Sequence, residues 1–298
     1  MSLPKLTIIG ERINPGFVSS KALLDKENLK GLQELAVSQV QKGARYLTIN
    51  VGEKATATPG FLVKLIEAVQ AVVDVPLSFD YPHESVQELC LKTYDPAKAR
   101  GRKPIVNSVT ELRLDMLERL KDLLKIQPFR LVLMASERLE HGHAQPNRTA
   151  DEIAQTAKRL VRRVLTDGYR LTPDDLLIDV SLCPLASDTD GQTRRAIEAI
   201  RLIGSDPELR GVHQMVGLSN LGIMLPKLAL DGSRLSVKLE SAFLTLTMSN
   251  GLDTILGTPG RDYQLLSEDD FVFRGFKEAI NLDGFETILR LQQLYRRE

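Results

Sequence analysis

The chain has 298 residues, equal numbers of basic and acidic side chains (39 each), no tryptophan and two cysteines. A neutral balance with scattered cations argues against a nucleic-acid or membrane-surface partner, either of which selects a basic stripe, and the densest basic run, Lys158-Arg159 with Arg162-Arg163, has the spacing of a solvated helix face. The isolated Cys90 and Cys183 form neither a disulfide framework nor a CxxC metal motif, no signal-like segment precedes the first strand and no apolar run is long enough to span a bilayer, so the sequence predicts a soluble, cytoplasmic protein.

Taken in chain order, short apolar runs rich in β-branched residues alternate with helical patterns. The runs are Leu6–Ile9, Tyr46–Asn50, Pro76–Asp80, Pro104–Asn107, Arg130–Met134, Leu176–Asp179, Gln214–Leu218 and Asp253–Leu256. Runs this short and apolar on both faces read as parallel strands covered on both sides. Between the first two, Leu29, Leu32, Leu35, Ala36 and Val40 share one helical face and Gly43 stops the helix. Before the sixth, Thr149 and Glu152 form a capping box ahead of a stripe of Ile153, Ala157, Leu160, Val161 and Val164. After the last run come a polar stretch, Arg261–Asp270, and a helix holding Ile280, Ile288, Leu289 and Leu291. Eight β-α repeats without a linker or low-complexity tract predict one domain over residues 1–298, an α/β fold of the (β/α)8 TIM-barrel type.

Barrel enzymes place their chemistry at the C-terminal strand ends. Here the first run leads into Gly10-Glu11-Arg12-Ile13-Asn14, the second, third, fourth and sixth end at Asn50, Asp80, Asn107 and Asp179, and the seventh leads into Gly217-Leu218-Ser219-Asn220. Carboxylates and carboxamides without His, Cys or Lys suit a flat heterocycle whose edge alternates donors and acceptors, as a pterin's does. Taken singly, each could instead cap a helix or form an Asx turn; the set carries the reading. His141 and His143 read as a surface loop, since no further metal ligand stands at a suitable spacing. His213 opens a strand at the opposite end of the barrel. His83 either touches substrate or starts a helix. No dinucleotide, P-loop or nucleophile-elbow motif occurs.

These residues resemble a known family. Ile9-Gly10-Glu11-Arg12-Ile13-Asn14, Asn50-Val51-Gly52, Asp80, Asn107-Ser108, Ile178-Asp179 and Gly217-Leu218-Ser219-Asn220 follow the order found in methyltetrahydrofolate:corrinoid methyltransferases and in the folate-binding module of cobalamin-dependent methionine synthase. The likeness runs from Leu6 to about Leu256. It implies a pterin-binding barrel related to dihydropteroate synthase, usually a homodimer, that moves a methyl group between N5 of tetrahydrofolate and the cobalt of a corrinoid such as cobalamin, commonly on a separate corrinoid protein. It implies that Asp80, Asn107 and Asp179 hold the pterin ring, with Glu11, Asn50, Gly217 and Ser219 around it, and that Asn220 reaches N5. There are departures. Thr48 stands where many relatives carry Asp, Val180 where Pro is frequent, Ala135-Ser136-Glu137 where a polar residue follows the fifth strand, and Lys227 or Leu228 where an Arg is common. They bear on tail binding, corrinoid docking and direction of transfer. Three other functions compete. Dihydropteroate synthase is disfavoured by Asn14–Ser19 and by Leu256-Gly257-Thr258-Pro259, which lack its pyrophosphate and Arg-x-His motifs. A non-catalytic folate-binding subunit would bind without turnover. A barrel lyase or aldolase would need a Schiff-base Lys or a metal cluster at the strand ends.

Overall fold

The computed structural model describes residues 3, 5–166 and 168–295. In chain order the elements are β1 (Thr7–Gly10), α1 (Val18–Asp25), α2 (Leu29–Gln41), β2 (Tyr46–Ile49), α3 (Lys54–Ala57), α4 (Pro59–Gln70), β3 (Leu77–Asp80), α5 (Glu84–Thr93), β4 (Ile105–Val109), α6 (Leu114–Ile126) and β5 (Arg130–Met134). Then follow β6 (Glu137–Glu140), β7 (His143–Pro146), α7 (Ala150–Thr166), β8 (Leu176–Asp179), α8 (Gln192–Ser205), β9 (His213–Gly217), α9 (Leu235–Thr247), β10 (Leu252–Gly257), α10 (Phe271–Ile280) and α11 (Phe285–Gln292). Strands β1, β2, β3, β4, β5, β8, β9 and β10 close into a barrel, with β1 pairing parallel to both β2 and β10. All eight apolar runs are barrel strands, each within a residue or two of its expected bounds.

The two faces of each strand explain the apolar runs. One face packs outward against the helices in a large continuous core. The other fills the barrel with Ile9, Ile105, Val132, Leu177 and Met215, against which Tyr46 and Leu256 pack. Side chains two residues further along a strand share the same face. Two residues on from that plug stand Glu11, Thr48, Asn107, Met134, Asp179, Gly217 and Thr258, and Asp80 pairs in register with Asn107. An apolar floor thus gives way to a polar layer at the C-terminal mouth.

The helices follow their patterns. In α2, Leu32 and Ala36 are buried, with Leu29, Leu35 and Val40 packed beside them. The α7 stripe of Ile153, Ala157, Leu160, Val161 and Val164 is buried throughout. Its capping box is formed: Glu152 N donates to Thr149 Oγ1 at 3.1 Å, and Thr149 N to Glu152 Oε2 at 3.1 Å. Thr149→Ala is expected to cost about 1 kcal/mol of stability, read as a shift in denaturant midpoint at constant slope.

Two segments differ from expectation. The stretch read as a loop around His141 and His143 is an antiparallel hairpin, β6 with β7, turning at His141-Gly142, with the exposed His143 opening β7 opposite Glu140. Asn147 anchors it by donating to Ala135 O and Thr156 Oγ1, and Glu111 accepts from Leu139 N and Arg159. The C-terminal helix is two helices. Gly284, with φ of 60°, breaks it, so Ile280 ends α10 while Ile288, Leu289 and Leu291 belong to α11.

At the N-terminal end of the barrel, His213 Nδ1 lies 2.6 Å from Asp253 Oδ2 and Nε2 lies 3.1 Å from Asp174 Oδ1. Asp253 foremost, and then Asp174, raise the imidazole pKa above its usual 6.5, against the effect of burial. A raised folded-state value means that this stabilisation is full below pH 6.5 and disappears as pH climbs through the shifted value. The melting-temperature gap between the native protein and His213→Gln should therefore be widest near pH 6 and close toward pH 9.

Candidate functional site

The mouth is assembled from adjacent strand ends that hold one another. Glu11, just past β1, is 4% exposed. Its Oε2 accepts from Ser219 Oγ at 2.6 Å and its Oε1 from Thr258 Oγ1 at 2.5 Å. Those hydroxyls follow β9 and β10, so one carboxylate ties three strand ends together. Asn50 Nδ2 donates to Asp80 Oδ2 at 3.1 Å, while Asn50 Oδ1 accepts from Gly52 N at 2.8 Å. Tyr81 Oη accepts from Val51 N at 3.0 Å. Gln87, fully buried on α5, donates its amide to the carbonyls of Phe79 and Tyr81 at 2.9 Å and of Asn107 at 3.3 Å. These bonds fix the backbone from which Asp80 and Asn107 project.

Asp179 is nearly buried at the end of β8, and its Oδ1 accepts from Ser181 N at 2.8 Å. Burial pushes its carboxyl up to about 6; the Ser181 amide opposes the shift and the Asp80 charge adds to it. Asp80 is raised as well, by burial first, with Asn50 and the Arg113 charge pulling it down. Two largely buried carboxylates that sense each other suit a ligand edge rich in N–H donors.

Asn220 lies in a single 3-10 turn, Leu218–Gly222, directly after β9. Its Nδ2 donates to Leu182 O at 3.2 Å. A backbone carbonyl only accepts, so this bond sets the orientation of the carboxamide and leaves its Oδ1 as an available acceptor. Gly217 makes room for it: a Cβ there would lie 3.1 Å from Asn220 Nδ2.

All the residues singled out in the sequence lie at the same, C-terminal end of the barrel: Asp80, Asp179 and Gly217 end their strands, Asn107 pairs in register with Asp80 two residues before the end of β4, and Glu11, Asn50, Ser219 and Asn220 stand just beyond strand ends. His83 occupies the position before α5, makes no side-chain capping bond to it, and is exposed. Sequence reasoning missed Tyr81, Gln87, Arg113 and Thr258. Gln87 left a readable trace, a polar side chain in the buried stripe of Val86, Cys90 and Leu91. It also missed Glu240, fully buried on α9, which accepts from Arg261. Burial pushes the Glu240 carboxyl up to about 7 against the pull of Arg261. Among the described residues no group of three or more His, Cys, Asp or Glu side chains is placed to hold a metal ion, and no helix is long and apolar enough to cross a membrane.

Comparison with known proteins places this mouth in context. The chain is 27% identical over 262 residues, 85% of each sequence, to the methylcorrinoid:tetrahydrofolate methyltransferase of Eubacterium limosum. In fold it is similar to dihydropteroate synthase from Thermus thermophilus (TM-score 0.57, 19% identity, 94% of each chain). The enzyme from Xanthomonas albilineans in complex with 7,8-dihydropteroate is comparable (TM-score 0.56, 19% identity, 95% and 96% of the two chains). Residues 13–256 match the model of a family described as pterin binding enzyme. That span runs from just after Glu11 to the end of the barrel's last strand and takes in nearly all of the polar mouth: the chain belongs to the pterin-binding enzymes.

Proposed function

We propose that this protein is a methyltransferase that moves a methyl group between N5 of tetrahydrofolate and the cobalt of a corrinoid. The observation that carries the reading is Asn220. Its amide nitrogen is committed to Leu182 O, and its carbonyl oxygen stands as an acceptor at the mouth that Asp80, Asn107 and Asp179 line. The name and coverage of the Eubacterium limosum relative support it.

In this reading Asp80 and Asp179 accept from the N–H and amino donors of the pterin edge, and Asn107 satisfies a ring acceptor. Asn50 holds Asp80, and Ser219, itself held by Glu11, supports the turn that bears Asn220. Gly217 admits the Asn220 side chain. In bound methyltetrahydrofolate N5 is unprotonated; a proton taken from solvent on the way to the transition state gives N5 positive character, and as the N5–methyl bond then breaks its electron pair stays on nitrogen, so that the leaving group is a neutral amine. Asn220 Oδ1 accepts a hydrogen bond from that N5–H, an interaction absent from the unprotonated ground state, and so lowers the barrier. Orientation by the ring clamp supplies a further large share. In the opposite direction the N5 lone pair takes the methyl group and the proton is released. The corrinoid is the second substrate, carried by a separate corrinoid protein. Beyond Asn220 the same loop exposes Ile223 and Met224, an apolar rim suited to a corrin face. The protein is proposed to act as a homodimer in the cytoplasm.

One assay tests the function. The purified protein is mixed with methylcobalamin and tetrahydrofolate, or with cob(I)alamin and methyltetrahydrofolate, and the cobalamin spectrum is followed. Protein-dependent interconversion is expected. Folate binding without any spectral change would replace this reading with that of a folate-binding subunit.

A further inference from the structure

Behind the mouth lies a buried charged group that the transfer scheme does not use. Glu240, midway along α9, has no solvent exposure. Its Oε1 accepts from the Arg261 guanidinium, and the buried Tyr263 hydroxyl borders the same carboxylate. Arg261 and Tyr263 belong to the extended segment between β10 and α10. α9 grips that segment at three further points. Ser241 Oγ accepts from Gln264 N at 3.3 Å, Thr245 Oγ1 accepts from Leu266 N at 2.9 Å, and Lys238 Nζ donates to Asp270 Oδ2 at 2.5 Å. Burying a carboxylate is unfavourable unless it is paired, and an aliphatic side chain would meet the needs of packing alone.

An adjoining face of α9, that of Ser236 and Glu240, seats the turn that carries Ser219 and Asn220. Gly222 ends that turn, and a Cβ there would lie 2.7 Å from Ser236 Cβ and 3.8 Å from Glu240 Oε1. Ser236 and Glu240 are one helical turn apart, so the backbone of the turn rests directly on them. Arg261 also stands three residues past Thr258, whose hydroxyl holds Glu11, and Glu11 in turn holds Ser219. The contacts close a ring: Asn220 turn to Glu240, Glu240 to Arg261, along the chain to Thr258, then Glu11, then Ser219 and back to the turn. Arg261 senses the charge of Glu11 as well as that of Glu240.

We propose that the Glu240–Arg261 pair is a positioning device for Asn220, fastening the seat of its turn on α9 to the segment after β10. The inference deepens the methyl-transfer reading and rests on it for its kinetic consequence, though not for its mechanical one. With Arg261 gone, the segment holding Thr258 loses its buried anchor, Glu11 loses one of its two fixed partners, and the turn gains freedom at the point where a displacement of an ångström matters most for rate.

The test uses the full chain as the native protein, Arg261→Met and the milder Arg261→Lys. Three quantities are measured: amide hydrogen–deuterium exchange, tetrahydrofolate affinity by calorimetry, and single-turnover methyl transfer from methylcobalamin at saturating tetrahydrofolate. In Arg261→Met, exchange over residues 218–222 is expected to quicken while β4 and β5 stay protected. Transfer should fall by about tenfold or more and folate affinity by less than about threefold. Arg261→Lys should fall between this variant and the native protein in each respect, and it decides the matter if Arg261→Met does not fold. Unchanged exchange over 218–222, or a native transfer rate in a folded variant whose turn exchanges faster, would overturn the proposal. A native protein that binds tetrahydrofolate but transfers nothing would instead sink the methyl-transfer reading, and faster exchange at 218–222 in the variants would still establish the mechanical tie.

Discussion

Asn220→Ala is expected to slow methyl transfer by about 10²-fold or more, the range observed when one preorganised polar group is removed from a reacting centre. On the proposed ring clamp, folate affinity should fall far less, because Asp80, Asn107 and Asp179 are left in place. The reason for the asymmetry is that a hydrogen bond to N5 is worth most when N5 carries most positive character, in the transition state. A purely structural Asn220, serving only to tether its turn to Leu182 O, predicts a different outcome: about 1 kcal/mol of lost stability and normal turnover by the molecules that remain folded. Single-turnover kinetics at saturating folate and cobalamin, run beside a thermal melt, separate the two. A stable mutant with a native rate would remove Asn220 from the mechanism.

Asp80→Ala and Asp179→Ala are expected to weaken tetrahydrofolate binding, each by roughly 1.5–3 kcal/mol as a charge-assisted contact is lost. Calorimetry on folded mutants checks this, and unchanged affinity in both would make these carboxylates turn formers alone. Asp179 adds a pH signature. Its carboxyl titrates near 6 in the free protein, and only the ionised form offers acceptors on both oxygens, so folate affinity should rise between pH 5 and pH 7. The linkage to stability has the opposite sign. A carboxyl whose folded pKa is raised costs stability above that value, and the cost is relieved as pH falls from about 6 toward the unfolded value near 3.9. Asp179→Asn should therefore melt at or above the native temperature at neutral pH while binding folate more weakly. Few purely structural roles would produce that combination.

The barrel was legible because parallel strands covered on both sides leave short apolar runs, and every such run is a strand. The mouth was legible for a related reason: its polar residues end or directly follow the apolar runs, and Glu11, Asn107 and Asp179 stand two positions beyond the inward-facing Ile9, Ile105 and Leu177, on the same strand face. The Asx-turn alternative and the site reading also proved compatible in geometry. Asn50 and Asp179 each give one oxygen to a local backbone amide and keep other atoms for longer-range use. The hairpin at 137–146 was not legible. Glu-Arg-Leu-Glu and His-Ala-Gln-Pro carry little strand propensity, and partners far along the chain, such as Glu111 and Thr156, hold the hairpin in place. The break between α10 and α11 was masked because Ile280, Ile288 and Leu291 keep helical spacing across Gly284. Glu240 was hidden in an apolar helix, with its partner 21 residues away in a stretch read only as polar.

The apolar plug under the mouth decides how traffic through the enzyme must run. With Ile9, Ile105, Val132, Leu177 and Met215 filling the barrel, the polar mouth is a blind alley with one door. On the proposed function a bulky second substrate must come to that same door, and while it stands there the pterin can neither enter nor leave. Such a geometry enforces a queue, with folate loaded first and released last, and steady-state inhibition patterns should carry the imprint of that order.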